Sequence, residues 1–177
     1  MPRLPHTIRS RFNRVRLFLC DVDGVLTDGG VWMGGGLELK RFDIRDGLGL
    51  KFLQKNGIKV GWISRRPSEA TRQRADNLAI DFLIQSDSDK VAAVESLRRE
   101  TRLEWPEIAF VGDDIVDIGV FRRVGLAVAV NNATPETKAA AHYVTLARGG
   151  HGAIRETAEL ILKAQQKWKP VLSEYEG

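Results

Sequence analysis

Two clusters of acidic residues follow apolar segments of the sequence. The first lies in LFLCDVDGVLTDGG at residues 17–30, where Asp21 and Asp23 come directly after an apolar run. The second lies in VGDDIVD at residues 111–117, where Asp113 follows another apolar run. Carboxylate oxygens are preferred ligands of Mg²⁺, and a bound cation offsets the repulsion between a carboxylate and a phosphate. These clusters predict phosphate chemistry around a divalent cation.

Each acid of such a site has a distinct task. An aspartate can attack phosphorus to form an aspartyl-phosphate, and we expect Asp21 to do so while also binding the metal. Asp113 completes the carboxylate ligands of Mg²⁺, and Asp23 is then free to act as general acid and later as general base. Ser64 closes GWIS and Lys90 follows QSDSD. A hydroxyl and an ammonium stabilise the oxygens of a phosphoryl group in transfer.

Several other phosphate or metal motifs do not fit the sequence. A cysteine phosphatase built on Cys20 would need an arginine at position 26, where Leu26 stands, so Cys20 is expected to be a buried strand residue. An EF-hand loop beginning at Asp21 would need a glycine at that same position and a glutamate at position 32, which is Trp32. No Walker A pattern occurs.

The elements that must position these residues alternate along the chain. Apolar runs rich in β-branched residues predict buried strands at Val15–Cys20, Ile58–Ile63, Ile80–Ile84, Ile108–Val111, Leu126–Val130 and, more weakly, His142–Thr145. Helical spacing of apolar residues predicts helices at Leu48–Lys55, Ser68–Leu78, Asp89–Arg99, Ile115–Val124, Pro135–Ala141 and Ala153–Lys167. Alternation of this kind is typical of an α/β fold with a doubly wound parallel sheet, whose ligands gather at the carboxyl ends of the strands.

Residues 29–43, GGVWMGGGLELKRFD, interrupt the alternation. A glycine triplet separates VWM from LELKRF, in which Leu37, Leu39 and Phe42 interleave with charged residues. This pattern predicts a β-hairpin flap. No other insertion is long enough for a cap domain. Asp28, just before the hairpin, is expected to stabilise the turn that leads into it.

Length and composition limit the class of protein. A chain of 177 residues, 43% of them hydrophobic, is expected to form one domain, which we place at residues 14–168. Residues 1–13, which are basic and contain no acid, are predicted to be a disordered leader, and residues 169–177 a C-terminal tail. No segment has the length and apolarity of a membrane span, and no arginine stripe with interleaved aromatics indicates nucleic-acid binding. A single cysteine does not favour an oxidising compartment, so we expect a cytoplasmic protein.

The order DVDGVLTD, Ser64, Lys90 and GDDIVD resembles the four motifs of the haloacid dehalogenase-like phosphohydrolases. Within that superfamily, DVDGVLTDG, LELKRFDIRDG, ISRRPS, VGDDIVD, VGLAVAV and ARGGHGAIRE resemble the 3-deoxy-D-manno-octulosonate 8-phosphate phosphatase family over roughly residues 14–168. The resemblance implies a capless, Rossmann-like haloacid dehalogenase fold and a homotetramer. It also implies Mg²⁺-dependent hydrolysis of a sugar acid phosphate used in lipopolysaccharide precursor biosynthesis.

The resemblance also assigns roles to individual positions. Asp23 would offer its backbone carbonyl to the metal, beside the carboxylates of Asp21 and Asp113, while Ser64 and Lys90 hold the phosphoryl group. Contacts to the sugar acid are implied for Asp43, Arg45, Asp46, Lys51, Arg66 and Arg74, although exposure on a helix face would explain the same spacing. Asp114 and Asp117 are expected to orient the metal site, or alternatively to favour the start of the following helix.

Three positions depart from the family pattern. Arg65 stands where the family usually has glycine, which adds bulk beside the phosphate site. Asp43 replaces an asparagine and adds a negative charge near an anionic substrate, and His151 replaces an arginine in the GGRG segment that contacts a neighbouring subunit. These departures bear on the substrate more than on the reaction.

Three alternatives remain beside this interpretation. The nearest is a phosphatase for a nine-carbon sugar acid 9-phosphate, which would differ mainly in its pocket residues. A two-component receiver domain also uses an aspartate, Mg²⁺, a hydroxyl and a lysine, but its phosphorylated aspartate follows a later strand, and no aspartate closes Ile58–Ile63. A non-catalytic oligomerisation module of the same fold would not need the full set of catalytic groups.

Overall fold

The protein, described here from a computed structural model over residues 5–176, is built around a six-stranded parallel sheet. These residues form eight strands: β1 (Leu17–Cys20), β2 (Trp32–Gly34), β3 (Leu37–Leu39), β4 (Lys59–Ser64), β5 (Phe82–Gln85), β6 (Ile108–Gly112), β7 (Leu126–Ala129) and β8 (Tyr143–Val144). The large sheet has the order β5-β4-β1-β6-β7-β8, and β2 and β3 pair separately. The predicted doubly wound parallel sheet is confirmed, and the described residues include no cap domain.

In the described part of the chain, eight α-helices connect or flank the strands: α1 (His6–Arg14), α2 (Ile44–Lys55), α3 (Glu69–Asn77), α4 (Lys90–Thr101), α5 (Ile118–Phe121), α6 (Pro135–Ala140), α7 (Ala153–Ala164) and α8 (Trp168–Ser173). Helices α1 and α2 pack against α7, whereas α5 packs against α4 and α6. This division follows from right-handed crossovers that run in both directions from β1 and cover both faces of the sheet. Within residues 5–176, every helix is too short or too polar to span a bilayer.

The position of β1 in the middle of the sheet determines where the site lies. All four residues of β1 are buried because helices cover both of its faces, which explains the unbroken apolar run LFLC. Cys20 pairs with Trp62 of β4 on one side and with Val111 of β6 on the other. From β1 the strand order continues through β4 and β5 on one side and through β6, β7 and β8 on the other. The residues that follow β4, β1 and β6 therefore line one crevice at the carboxyl ends of these strands.

The predicted β-hairpin is confirmed as the antiparallel pair of β2 and β3. Gly35 and Gly36 connect the two strands with φ angles of +59° and +78°, a conformation that favours glycine at both positions. Ahead of the hairpin, Asp28 accepts a hydrogen bond from the backbone N–H of Gly30 at 2.9 Å, as expected for a turn residue. Residues close in sequence therefore favour both the turn that leads into the hairpin and the turn between its two strands.

The ends of the chain differ from the sequence-based expectation. The disordered leader predicted at residues 1–13 is wrong for residues 6–13, which belong to α1 (His6–Arg14); residues 1–4 lie outside the described residues. Phe12 of α1 is fully buried and its ring meets Tyr143 edge-on at 5.6 Å between centroids. At the other end, α8 begins at Trp168 and buries Val171, so packing continues beyond the predicted domain boundary.

The segment Ile115–Val124, predicted as one helix, is also divided. A 3₁₀ turn at Ile115–Asp117 precedes α5. The side chain of Asp117 accepts hydrogen bonds from the backbone N–H groups of Asp113 and Asp114, which favours a tight first turn. The rest of the predicted elements agree with the structure to within a few residues.

We predict that Phe12→Ala lowers the free energy of unfolding by about 3–5 kcal/mol, because it removes a fully buried aromatic ring from the core. Asn13→Ala changes an exposed residue of the same helix and is expected to stay within about 0.5 kcal/mol of the unmodified protein. Chemical denaturation measures both values. Equal effects of the two substitutions would show that α1 is not part of the cooperative unit.

Candidate active site

A cleft of about 340 Å³ opens at the carboxyl edge of the large sheet. It is lined by the residues that follow β1, β4, β5 and β6, namely Asp21, Asp23, Ser64, Arg65, Arg66, Asp87, Lys90, Asp113, Asp114 and Val116. All residues predicted to act in catalysis or to bind metal are therefore present at one site. Parallel pairing brings them together, since strand ends that are distant in sequence share one edge.

Asp21, the predicted nucleophile, lies just beyond β1 and is largely buried. Its Oδ1 accepts a hydrogen bond from the backbone N–H of Val22 at 2.7 Å, and its Oδ2 lies 3.0 Å from Lys90 Nζ. Burial raises the pKa of Asp21 to about 6, even though the positive charge of Lys90 opposes this rise. These contacts hold the Asp21 carboxylate in one orientation, next to the positive charge of Lys90.

Lys90 is the first residue of α4 and its side chain is only 3% exposed, so it is not a solvated lysine at a helix start. Its Nζ lies 2.6 Å from Asp117 Oδ1 in addition to the contact with Asp21. Burial by itself would lower the pKa of Lys90, but the charges of Asp117 and Asp21 outweigh it and raise the pKa above its ordinary value. The ammonium therefore stays charged at the floor of the cleft.

Asp117 lies in the interior of the protein and binds groups that line the cleft. It is fully buried, and its Oδ2 accepts hydrogen bonds from the backbone N–H groups of Asp113 at 3.0 Å and Asp114 at 3.4 Å. Its Oδ1 pairs with Lys90. One carboxylate thus orders both the lysine and the loop that carries Asp113, which supports the predicted orienting role of Asp117.

Asp114 uses its carboxylate at the start of the following turn. Its Oδ1 accepts a hydrogen bond from the backbone N–H of Ile115 at 2.7 Å, and the side chain is exposed at the cleft. This contact supports the alternative interpretation of Asp114, in which it favours the start of the helical segment.

One carboxylate oxygen from each of Asp21, Asp113 and Asp117 can be chosen so that the three lie within 4.8 Å of one another, a spacing suited to holding a metal ion. Asp113 Oδ1 is buried and has no hydrogen-bond partner. Burial and then the charge of Asp21 raise the pKa of Asp113 to about 7. Gly24 permits this arrangement, since a Cβ at that position would lie 2.0 Å from Asp113 Oδ2. A divalent cation here would satisfy the unpaired oxygen and stabilise the ionised acids.

Asp23 differs from the other acids because its partner comes from the hairpin. Its Oδ1 lies 2.8 Å from Nζ of Lys40, whose side chain is fully buried. Sequence reasoning missed Lys40, although the alternation in LELK places Glu38 of β3 and Lys40, the residue that follows β3, on the side opposite Leu37. That alternation is the sequence feature from which an inward-facing Lys40 could have been predicted.

Three polar residues follow β4 at the cleft. The hydroxyl of Ser64 accepts a hydrogen bond from the backbone N–H of Arg66 at 3.1 Å. The guanidinium of Arg66 pairs with Glu38 of the hairpin. Arg65, which stands where the resembled family usually has glycine, points to the rim, where its Nη2 lies 2.7 Å from Asp87 Oδ1. Arg66 is the one predicted substrate contact that lines this cleft in the described chain.

The structure places Asp46 away from the cleft. Its side chain is 1% exposed, and its carboxylate accepts hydrogen bonds from the backbone N–H groups of Arg155 at 2.8 Å and Gly152 at 3.2 Å. Burial raises the pKa of Asp46 to about 6. The carboxylate is used within the protein, where it joins α2 to the amino end of α7.

The remaining predicted substrate contacts also lie outside the cleft of this one chain. Asp43 caps α2 and pairs with Arg45 at 2.9 Å, and the hydrogen bonds from Arg45 lower the pKa of Asp43. Lys51 lies half-buried in the middle of α2. Arg74 donates a hydrogen bond to Asn77 at 2.9 Å and lines a different pocket, which β3 and α3 border. Their contact with a substrate remains a prediction.

Comparison with known proteins shows the family. Residues 80–155 match a haloacid dehalogenase-like hydrolase family model. The chain is similar to the 3-deoxy-D-manno-octulosonate 8-phosphate phosphatase of Yersinia pestis, with 44% identity over 158 residues that cover 89% of this chain and 84% of that protein. The Escherichia coli K12 phosphatase of the same name is 40% identical over 159 residues, which cover 89% and 85% of the two chains.

Solved structures agree with the sequence relatives. The crystal structure of the 3-deoxy-D-manno-octulosonate 8-phosphate phosphatase of Moraxella catarrhalis, in complex with a magnesium ion, a phosphate ion and a KDO molecule, superposes with a TM-score of 0.93. It is 37% identical and covers 95% of this chain and 97% of its own. The chain therefore belongs to the 3-deoxy-D-manno-octulosonate 8-phosphate phosphatase family of haloacid dehalogenase-like hydrolases.

Proposed function

We propose that this protein is an Mg²⁺-dependent phosphomonoesterase that hydrolyses 3-deoxy-D-manno-octulosonate 8-phosphate to the free sugar acid and phosphate. The observation that carries the proposal is the contact of Asp21 with the buried Lys90 at 3.0 Å, beside Asp113 in one cleft. A non-catalytic module would have no use for this arrangement, since a buried lysine between carboxylates is costly to maintain. Relatives that act on this substrate share the fold and about 40% of the sequence.

The first half of the reaction forms a phosphoenzyme. A carboxylate oxygen of Asp21 attacks phosphorus, and the bond between phosphorus and the ester oxygen breaks. Lys90 Nζ and Ser64 Oγ hold the phosphoryl oxygens, whose negative charge they stabilise. Asp23 protonates the departing sugar oxygen. The buried position of Lys90 strengthens its effect, because water does not screen its charge.

In the second half, water replaces the sugar. The carboxylate of Asp23, which has lost its proton, takes a proton from a water molecule as that water attacks phosphorus. The bond between Asp21 and phosphorus breaks, which releases phosphate and restores the nucleophile. One residue can act first as acid and then as base because it returns to its starting state after each cycle.

The acidic cluster fits Mg²⁺. The carboxylates of Asp21 and Asp113 would hold the ion, with the backbone carbonyl of Asp23 as the third protein ligand that family resemblance implies. Oxygen ligands alone, with Asp113 Oδ1 buried and unpaired, are what this hard cation prefers. When bound, Mg²⁺ neutralises the repulsion between the anionic phosphate and the Asp21 carboxylate.

The substrate is proposed to be an anionic sugar acid because cations border the cleft. Arg65 and Arg66 both line it, and each is paired with a carboxylate that a substrate would have to replace or share. The contacts predicted for Asp43, Arg45, Lys51 and Arg74 belong to this proposal as well. A nine-carbon sugar acid 9-phosphate is the alternative substrate, because the reaction centre would serve both. We place the reaction in the cytoplasm, where it would supply lipopolysaccharide precursor biosynthesis.

We also propose a homotetramer, which the family resemblance implies and the hairpin supports. Trp32 is 70% exposed and Met33 77%, and Leu37 and Leu39 are nearly as open. Apolar side chains grouped on one flap usually mark a protein interface. Packing of hairpins from neighbouring subunits would bury them. The exposed His151 would lie at a further contact between subunits.

The proposed function predicts turnover of 3-deoxy-D-manno-octulosonate 8-phosphate by the purified protein with Mg²⁺, and loss of turnover after complete chelation. Phosphate release measures both. We expect kcat/KM for the eight-carbon substrate to exceed that for the nine-carbon 9-phosphate by at least tenfold, about 1.4 kcal/mol. A tenfold preference for the longer acid would overturn the substrate assignment, and full activity after chelation would contradict the Mg²⁺ requirement.

Asp21→Asn is predicted to lower kcat by at least about 10⁴-fold while the fold is preserved, since a neutral amide does not form the phosphoenzyme. Asp87→Asn removes a different carboxylate from the rim of the same cleft and is expected to change kcat less than tenfold. Circular dichroism checks the fold of both variants. If Asp21→Asn kept measurable turnover comparable to Asp87→Asn, Asp21 would not be the nucleophile.

The tetramer predicts a mass in solution near four times 19.8 kDa by light scattering. Trp32→Arg is expected to reduce that mass, because a charge in a packed hairpin interface has no compensating partner. Leu146→Arg changes an equally exposed apolar residue outside the hairpin and serves as the control. A monomeric unmodified protein, or an unchanged mass for Trp32→Arg, would refute the hairpin interface.

A further inference from the structure

The strand β3 presents two different faces. Leu37 and Leu39 point outward and are 68% and 62% exposed. Glu38 and Lys40, which alternate with them, pair with residues that line the cleft, Glu38 with Arg66 and Lys40 with Asp23, and the side chain of Lys40 is fully buried. A buried lysine requires partners that balance its charge, so the contacts of Lys40 indicate what this residue does.

The ammonium of Lys40 is held by groups from three parts of the chain. Nζ lies 2.8 Å from Asp23 Oδ1, 3.2 Å from Thr71 Oγ1 in α3 and 3.7 Å from Glu38 Oε1. The contact with Thr71 is a hydrogen bond that the ammonium donates, and the contacts with Asp23 and Glu38 are ion pairs that balance its charge. Nζ is therefore fixed in space by the hairpin, by α3 and by the loop after β1.

The contact divides the carboxylate of Asp23 into two unlike oxygens. Oδ1 is buried and lies against Lys40 as an ion pair rather than a directed hydrogen bond. The side chain as a whole is 26% exposed and lines the cleft, so the open part of the carboxylate is on the Oδ2 side. Among the described residues, Lys40 is the one side chain that pairs with Asp23.

We propose that Lys40 is a positioning residue that aims the acid–base oxygen of Asp23 at the leaving group. The inference rests on the proposed function, in which Asp23 gives its proton to the ester oxygen as the bond to phosphorus breaks. By holding Oδ1, Lys40 leaves Oδ2 to carry that proton and later to take one from water. Without Lys40 the loop side chain would rotate freely between staggered positions, and fewer encounters would have proton and ester oxygen in line.

Glu38 extends the same connection to the substrate side. Its Oε1 accepts a hydrogen bond from Ser68 Oγ at 2.6 Å, and its Oε2 pairs with Arg66 at the cleft. Glu38 of β3 and Lys40, just after it, thus contact both a cation that lines the cleft and the acid–base aspartate. The hairpin is therefore a flap whose charged residues also contact the reaction centre.

A comparison of leaving groups tests the role of Lys40. Departure of a sugar alkoxide requires protonation, whereas p-nitrophenolate leaves without it. Misplacement of Asp23 therefore lowers kcat/KM for the sugar phosphate alone, since kcat/KM does not include the later hydrolysis of the phosphoenzyme, which both substrates share. We expect Lys40→Met to lower kcat/KM about 100-fold for 3-deoxy-D-manno-octulosonate 8-phosphate and about threefold or less for p-nitrophenyl phosphate. A purely structural defect would lower both values by the same factor, and that result would overturn the inference.

Lys59→Met is the matched control, since Lys59 pairs with Asp81 at 2.9 Å at the opposite end of the sheet. It is expected to leave both substrates' kcat/KM unchanged. If Lys40→Met fails to fold by circular dichroism, Lys40→Gln replaces it, because the amide keeps a donor for Thr71. An equal loss in the Lys59 variant would also overturn the positioning role.

A double-mutant cycle with Asp23→Asn provides the second readout. If Lys40 acts through Asp23, adding Lys40→Met to Asp23→Asn lowers kcat/KM for the sugar phosphate no more than about twofold further. Multiplication of the two single losses would show that Lys40 acts independently and would overturn the inference. Absence of turnover in the unmodified protein would instead contradict the proposed function on which the inference rests.

Discussion

The carboxyl edge of the sheet brings together one carboxylate oxygen from each of Asp21, Asp113 and Asp117, within 4.8 Å of one another. Burial at this edge reduces the stabilisation of their negative charges by water. Lys90 lies between two of them, at 3.0 Å from Asp21 and 2.6 Å from Asp117. It offsets much of their repulsion but makes no contact with Asp113. The remaining excess of negative charge is the physical reason that this cleft suits a divalent cation and, with it, a phosphate.

The parallel sheet is what makes such crowding possible. Each of the three strands β4, β1 and β6 contributes two or three polar residues at its carboxyl end, and the order β4-β1-β6 places these ends side by side. Asp117 then acts below the surface, where it binds both Lys90 and the backbone of the loop that carries Asp113. The reaction centre is therefore supported by an interior hydrogen-bond network rather than by its surface side chains alone.

The hairpin combines two roles through the simple alternation of a strand. Its outward residues are apolar and exposed, as at Trp32, and the proposed tetramer would cover them. Its inward residues carry charge to the cleft, where Lys40 meets Asp23. In the proposed tetramer, an assembly that holds the hairpin in place would by the same contacts hold the acid–base residue, so the interface and the chemistry would share one element.

Amino-acid order alone was sufficient for the sheet, the hairpin and the acids of the cleft, because apolar runs, glycines and strand-end aspartates act over a few neighbouring residues. Asp21, Ser64, Lys90 and Asp113 were all foreseen in this way. Only tertiary packing decided that Phe12 joins the core, that Asp46 bonds to the amino end of α7 and that Lys40 pairs with Asp23. These contacts join distant parts of the chain, and a side chain's partner across such a distance depends on the three-dimensional path between them, which local spacing does not encode.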